Sequence, residues 1–181
     1  MQILAGTYKG RKIRSSSSNA IRPCSSRVKK SLFDTLATRL DFEEITVLDL
    51  FAGFGSLGFE ALSRGAASAW FVDQHVDALK ALKITASQFG IEDRVKIVNA
   101  DVSAFLSRIT CQFDIIFCDP PYSWSDYERL IQTILGGNFL SKDGTLIIEH
   151  NAHIVFKHFP CYSFHKDYGM TRVTFFSAPT S

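Results

Sequence analysis

The sequence predicts an α/β fold: a mostly parallel seven-stranded sheet, an antiparallel hairpin at its C-terminal end, and a small basic N-terminal extension made of a hairpin, a loop and a helix. Three observations carry this. From Ile45 onward the chain repeats strand, loop and helix. Its strands are apolar on both faces, as expected when helices cover both sides of a parallel sheet. A glycine-rich turn follows the first of those strands and opens a helix. With 181 residues, 46% of them hydrophobic and 16 of them Phe, the chain is long enough to bury a core without disulfides or a metal.

In order along the chain, residues 1–14 alternate and turn at Lys9-Gly10, which reads as a hairpin. Ser15 to Asn19 is a polar connector. A helix capped by Ser25 or Ser26 runs to about Leu40, with Val28, Leu32, Leu36 and Leu40 on one face. Candidate strands are Thr46–Leu50, Ala69–Asp73, Val95–Asn99, Phe113–Cys118 and Thr145–His150. Helices are expected near Ser56–Arg64, Val76–Phe89, Val102–Arg108 and Ser125–Leu135. Cys161–Lys166 and Thr171–Ser177 flank a tight Asp167-Tyr168-Gly169-Met170 turn. The domain division expected is 1–40 for the extension and 41–181 for the body.

Charge is distributed unevenly. Residues 1–40 hold nine Lys or Arg against one acid, Asp34, and residues 41–181 hold eleven against seventeen, so a split of +8 and −6 lies behind the net +2. A basic segment of this kind suits a polyanion. Arg27, Lys29 and Lys30 stand in the first turn of their helix, where cations oppose the helix dipole by about 0.3–1 kcal/mol each, so another use is expected of them. No apolar run is long enough to span a membrane, and no secretory signal is seen at the N-terminus. The four cysteines lack metal or redox spacing, which fits a reducing cytosol. His150 and His153 have no evident third ligand, so no metal site is expected. Glu149 is left out of the catalytic set.

Two motifs carry chemistry. Gly53, Gly55 and Gly58 match GxGxxG, a pattern that also admits a nicotinamide enzyme, with Asp73 as its ribose acid. Asp49 argues otherwise, because a carboxylate beside the glycine turn repels a pyrophosphate. It suits a cationic ligand without phosphate, such as S-adenosylmethionine. Asp73 can then accept the ribose hydroxyls and Asp101 the adenine amino group, although each aspartate also reads as a helix cap. Phe51, Ala52, Gln74 and Val102 complete the candidate cofactor set. The second motif is Asp119-Pro120-Pro121-Tyr122, straight after a buried strand. The prolines fix φ and remove two donors. What remains is a rigid turn rich in acceptors, which could hold an exocyclic amino group while Tyr122 stacks on its base. In-line positioning of this kind can remove up to about 7–11 kcal/mol from a barrier.

The sequence resembles the bacterial RsmD family over nearly its whole length. The resemblance rests on Ile3 to Lys12, Arg22-Pro23, Ser26 to Phe33, Val47 to Ala66 and Lys166 to Thr171, with Asp-Pro-Pro-Tyr as the amino-methyltransferase signature. It implies a Rossmann-like class I methyltransferase fold and transfer of methyl from S-adenosylmethionine to N2 of a guanine in 16S rRNA. It also implies a cytoplasmic, monomeric enzyme whose partner is 16S rRNA or the assembling small subunit. The catalytic residues would be Asp119, Pro120, Pro121 and Tyr122. The RNA contacts expected are Lys9, Arg11, Lys12, Arg22, Arg27, Lys29 and Lys30. The chain departs from the family pattern at Cys24, Phe54, Asp73 and Thr85, and Phe54 would narrow the cofactor loop. The residues alone leave open an adenine or DNA amino methyltransferase, a nicotinamide oxidoreductase and a noncatalytic RNA-binding module.

Overall fold

A computed structural model describes residues 1–15, 26–121 and 123–179. Cys24, Arg22 and Tyr122 lie outside the described residues. The elements are α1 (Ser26–Ala37), β1 (Thr46–Leu50), α2 (Ser56–Ser63), β2 (Ser68–Asp73), α3 (Val76–Phe89), a 3₁₀ turn (Glu92–Arg94), β3 (Val95–Asn99), α4 (Val102–Leu106), β4 (Phe113–Cys118), α5 (Tyr127–Gly136), β5 (Leu140–Asn151), β6 (Tyr162–Tyr168) and β7 (Thr171–Ser177). The seven strands form one sheet in the order β3-β2-β1-β4-β5-β7-β6. The first five in that order pair in parallel, and β7 pairs antiparallel with both β5 and β6.

Alternation along each strand divides the core. Val47, Phe71, Ile115, Phe117, Ile147 and Phe175 face one layer, with α1, α2 and α3. Leu48, Leu50, Val72, Ile116, Leu146, Ile148 and Phe176 face the other, with α4 and α5. Ile3 and Ile13 of the N-terminal segment and Leu32 and Phe33 of α1 belong to the first layer, so the extension shares the core of the body.

Several elements differ from expectation. The N-terminal segment makes a single antiparallel bridge, Gln2 with Lys12, and reverses between two left-handed glycines, Gly6 and Gly10. Helix α1 stops at Ala37, where the hydroxyls of Thr35 and Thr38 bond carbonyls one turn back (2.7 and 2.8 Å). β5 begins five residues earlier than the apolar run, at Leu140. Asp114 accounts for this: it accepts from Ser141 Oγ (2.6 Å) and from Thr46 N–H (2.8 Å), sewing the polar start of β5 to β4 and β1 across a register shift.

Candidate functional site

β1 sits between β2 and β4, and its last residue, Leu50, pairs with Val72 on one side and Cys118 on the other. The chain leaves β1 into one helical layer and β4 into the other. The crevice beyond their carboxyl ends is therefore the switch point where open α/β sheets bind ligands. The glycine loop fills its first side. Phe51, Gly53 and Gly55 all have positive φ, at 57°, 52° and 78°. Glycine takes this conformation freely, whereas at Phe51 it is strained. Asp73 fixes the loop by accepting from Gly53 N–H and His75 N–H (both 2.8 Å), which leaves each oxygen a further lone pair.

Asp49 is 2% exposed, and its Oδ2 accepts from Gly58 N–H in α2 (2.9 Å). Gly58 makes this approach possible, since a Cβ there would stand 2.4 Å from Phe71. Burial pushes the Asp49 carboxyl up to about 8, with the Gly58 bond opposing and the Asp73 charge adding to it. At neutral pH Asp49 therefore holds a proton unless a cation faces it. Ser56, the first residue of α2, has a buried Oγ with no hydrogen-bond partner among the described residues. It gives the loop a polar group to offer a ligand. Asp101 is exposed and caps α4 through Ala104 N–H (3.1 Å), and Gln74 is exposed beside Asp73. Phe54 is 3% exposed and packed in the core layer with Leu57. It turns inward, and its expected narrowing of the cofactor loop is not what the structure places there.

The other side of the crevice is the Asp119-Pro120-Pro121 turn. Asp119 is half-buried, Pro120 buried and Pro121 exposed. The Pro121 carbonyl accepts from Trp124 N–H (2.8 Å), closing a turn that brings the indole back across the crevice. Trp124 meets Phe51 edge-on at 5.2 Å and Tyr127 of α5 at 5.1 Å. Motif reasoning missed that Trp124 lines the crevice, and an aromatic just past Asp-Pro-Pro-Tyr was the available signal. Burial and the charges of Asp49 and Asp119 raise the Cys118 thiol well above its usual range, which keeps it from acting as a thiolate nucleophile.

The structure corrects the expected basic surface. Lys29 is 2% exposed; its ammonium donates to Gln2 O (2.8 Å) and pairs with Glu60 at 3.3 Å. It cannot reach RNA. Arg27 and Lys30 are exposed. Helices α2 and α3 end at the sheet edge opposite the crevice, and the N-terminal hairpin is bonded to those ends. Thr7 N–H donates to Ser63 O (2.7 Å), and the Arg11 guanidinium donates to Gln88 O and lies over the Phe89 ring. The tip carrying Lys9 and Arg11 therefore stands away from the crevice. Among the described residues no group of His, Cys, Asp or Glu could hold a metal, and no helix is long and apolar enough to cross a membrane.

This arrangement has relatives. The protein-family profile described as "Conserved hypothetical protein 95" matches residues 1–177. The chain belongs to this family. The resemblance to the RsmD family thus holds over almost the whole sequence. The relative named "Putative rRNA methyltransferase YlbH" from Bacillus subtilis is 31% identical over 157 residues, 85% of this chain and 84% of its own. "Ribosomal RNA small subunit methyltransferase D" of Haemophilus influenzae is 33% identical over 152 residues, 82% of this chain and 78% of its own. The solved structure of "Putative methyltransferase yhhF from Escherichia coli" superposes with a TM-score of 0.86 at 25% identity, covering 100% and 99% of the two chains. The family's fold is that of class I methyltransferases, as the sequence predicted, and the chain is a methyltransferase.

Proposed function

We propose that this protein transfers the methyl group of S-adenosylmethionine to the exocyclic N2 amino group of a guanine in 16S rRNA. The observation that carries the reading is the pairing of Leu50 with Cys118. It sets a carboxyl-lined glycine loop and an acceptor-rich proline turn side by side at one sheet edge. The relatives named as small-subunit rRNA methyltransferases supply the substrate.

The residues present fit the cofactor. Asp49, neutral when alone, gives up its proton to face an ammonium. Asp73 keeps lone pairs for ribose hydroxyls, and the unpartnered Ser56 hydroxyl lies beside the loop. Phe51, Ala52, Gly53 and Gly55 would flank the nucleoside, with Gln74, Asp101 and Val102 toward the adenine. When bound, S-adenosylmethionine supplies a methyl activated on a sulfonium.

The chain's own part is positioning. Asp119 and the Pro120 carbonyl accept the two hydrogens of the target amino group, weaken its conjugation with the ring and aim its lone pair. Asp119 then takes the proton released. Tyr122 and Trp124 are the aromatic groups available to the base. Residues 1–40 contribute part of the RNA grip: Arg27 and Lys30 stand nearest the reaction, Arg22 is retained from the family resemblance, and Lys9, Arg11 and Lys12 meet only an RNA that extends around the domain.

The test is Asp119→Ala, assayed with small-subunit rRNA and labelled cofactor. S-adenosylmethionine affinity should stay within about twofold while turnover falls by about 100-fold or more, the scale of losing a positioned catalytic group. Near-wild-type turnover would sink the mechanism. Nucleoside analysis of the product should show N2-methylguanosine.

A further inference from the structure

With the N-terminal hairpin tip at the far edge, other groups must meet an RNA strand at the edge where the target base enters. The sheet register identifies them. β5 ends at Asn151, which pairs with Thr171, and Thr171 pairs with Tyr168. The Gly169-Met170 turn between β6 and β7 therefore lies at the same edge as Leu50 and Cys118. Ala152 N–H donates to Met170 O (2.9 Å), tying this turn to the chain leaving β5.

Helix α1 descends alongside β6 through three contacts in step. Tyr168 OH donates to Ser31 Oγ (2.7 Å), Lys166 Nζ donates to Thr35 Oγ1 (2.6 Å), and the Arg39 guanidinium lies 4.2 Å over the Phe164 ring. Their order fixes the direction of α1, so its first turn, with Arg27 and Lys30, stands at the reaction edge. Lys166 is exposed, and its ammonium rests on a neutral hydroxyl. Among the described residues it makes no ion pair. The acid of the hairpin, Asp167, points to the other face by strand alternation and is neutralised there by Arg172 through two bonds (2.6 and 2.9 Å). Met170, at the tip, is 62% exposed.

We propose that the β6–β7 hairpin is a second RNA-contacting element. Lys166, with Arg27 and Lys30 across the α1 seam, takes backbone phosphates of the strand that carries the target base, and the Met170 side chain packs on a neighbouring nucleoside. Lys166 and Arg27, which make no ion pair among the described residues, Lys30, whose only ion pair there is an exposed one with Asp34 (2.7 Å), an apolar tip and a shared edge with the amino-group site match a phosphodiester strand. The inference rests on the rRNA reading above.

The experiment measures binding of small-subunit rRNA across a salt series for wild type, Lys166→Gln, Met170→Glu and, as a control on the distant β3, Lys96→Gln. S-adenosylhomocysteine affinity and thermal midpoint are measured for each. Met170 is 62% exposed and belongs to neither core layer, so with the thermal midpoint as a check Met170→Glu separates binding from folding. Expected are about threefold to tenfold weaker rRNA binding for Lys166→Gln and Met170→Glu, with the slope of log K against log salt reduced by about 0.7–0.9 for Lys166→Gln. The control and all S-adenosylhomocysteine affinities should stay at the wild-type value. If wild type methylates rRNA and both hairpin variants bind and turn over as it does, the hairpin proposal is overturned while the function stands. If wild type neither binds nor methylates small-subunit rRNA, both are overturned.

Discussion

The carboxyl of Asp49 lies under α2, almost closed to water, with one backbone N–H for company. Its folded value of about 8 stands above its ordinary 3.8. Below about pH 4 both folded and unfolded chains hold the proton; between there and about pH 8 the folded chain holds more. The stability this group contributes is therefore complete at low pH and lost as pH rises through 8. Asp49→Asn, which cannot ionise, should match the wild-type thermal midpoint near pH 4 and exceed it increasingly toward pH 8 in the cofactor-free protein. A midpoint difference that does not vary with pH would refute this. The same proton should leave when a cationic cofactor binds. Calorimetry of S-adenosylmethionine at about pH 6 should give heats that depend on the buffer's ionisation enthalpy for wild type and not for Asp49→Asn, whose affinity should fall about 10- to 100-fold, the scale of a charged hydrogen bond. The carboxylate's place beside the glycine turn was legible from spacing alone. Its protonation was not, because that depends on how completely α2 covers it.

Glu60 joins three elements. It is 0% exposed, and its two oxygens accept from Leu4 N–H (2.8 Å), Ala5 N–H (3.1 Å) and Arg64 Nε (3.0 Å) while pairing with Lys29. It so ties α2 to both the N-terminal segment and α1. Removing it leaves the buried Lys29 ammonium without its carboxylate. Glu60→Ala should cost about 3–5 kcal/mol in urea unfolding; a loss under about 1 kcal/mol would contradict the account. The sequence pattern located β1, β3, β4, α3 and β7 to the residue, because each shows its own strand or helix period of apolar residues between clear turn signals. It could not locate the start of β5, which is held by side-chain bonds to Asp114 rather than by apolar burial. Lys29 was misread for a subtler reason. Residues 29, 32, 33 and 36 share one helical face, so its inward position was available in the spacing. Its place within a run of basic residues drew the reading to the surface.

The N-terminal segment is an extension in the sequence and a component of the core in three dimensions. Ile3 and Ile13 are 1% and 3% exposed, and Tyr8 stacks on Phe89 at 4.9 Å. Deleting residues 1–14 should therefore lower unfolding free energy by about 4 kcal/mol or more, from the two isoleucines alone, instead of leaving an intact body that has merely lost RNA affinity. Equilibrium denaturation of the shortened chain decides between these. The +8 and −6 halves of the sequence thus do not map onto two separate bodies. Part of the basic charge is spent inside the fold, on Glu60, and the acids at the strand ends line one edge. β7 carries a different consequence. It follows every other element in the chain, yet it lies between β5 and β6 and gives Phe175 to one core layer and Phe176 to the other. While the chain is still being synthesised, β5 has an open edge and β6 no strand to pair with. The sheet can close only after about residue 177 is free of the ribosome, so the edge of β5 and the whole of β6 wait unpaired until the strand between them has been made.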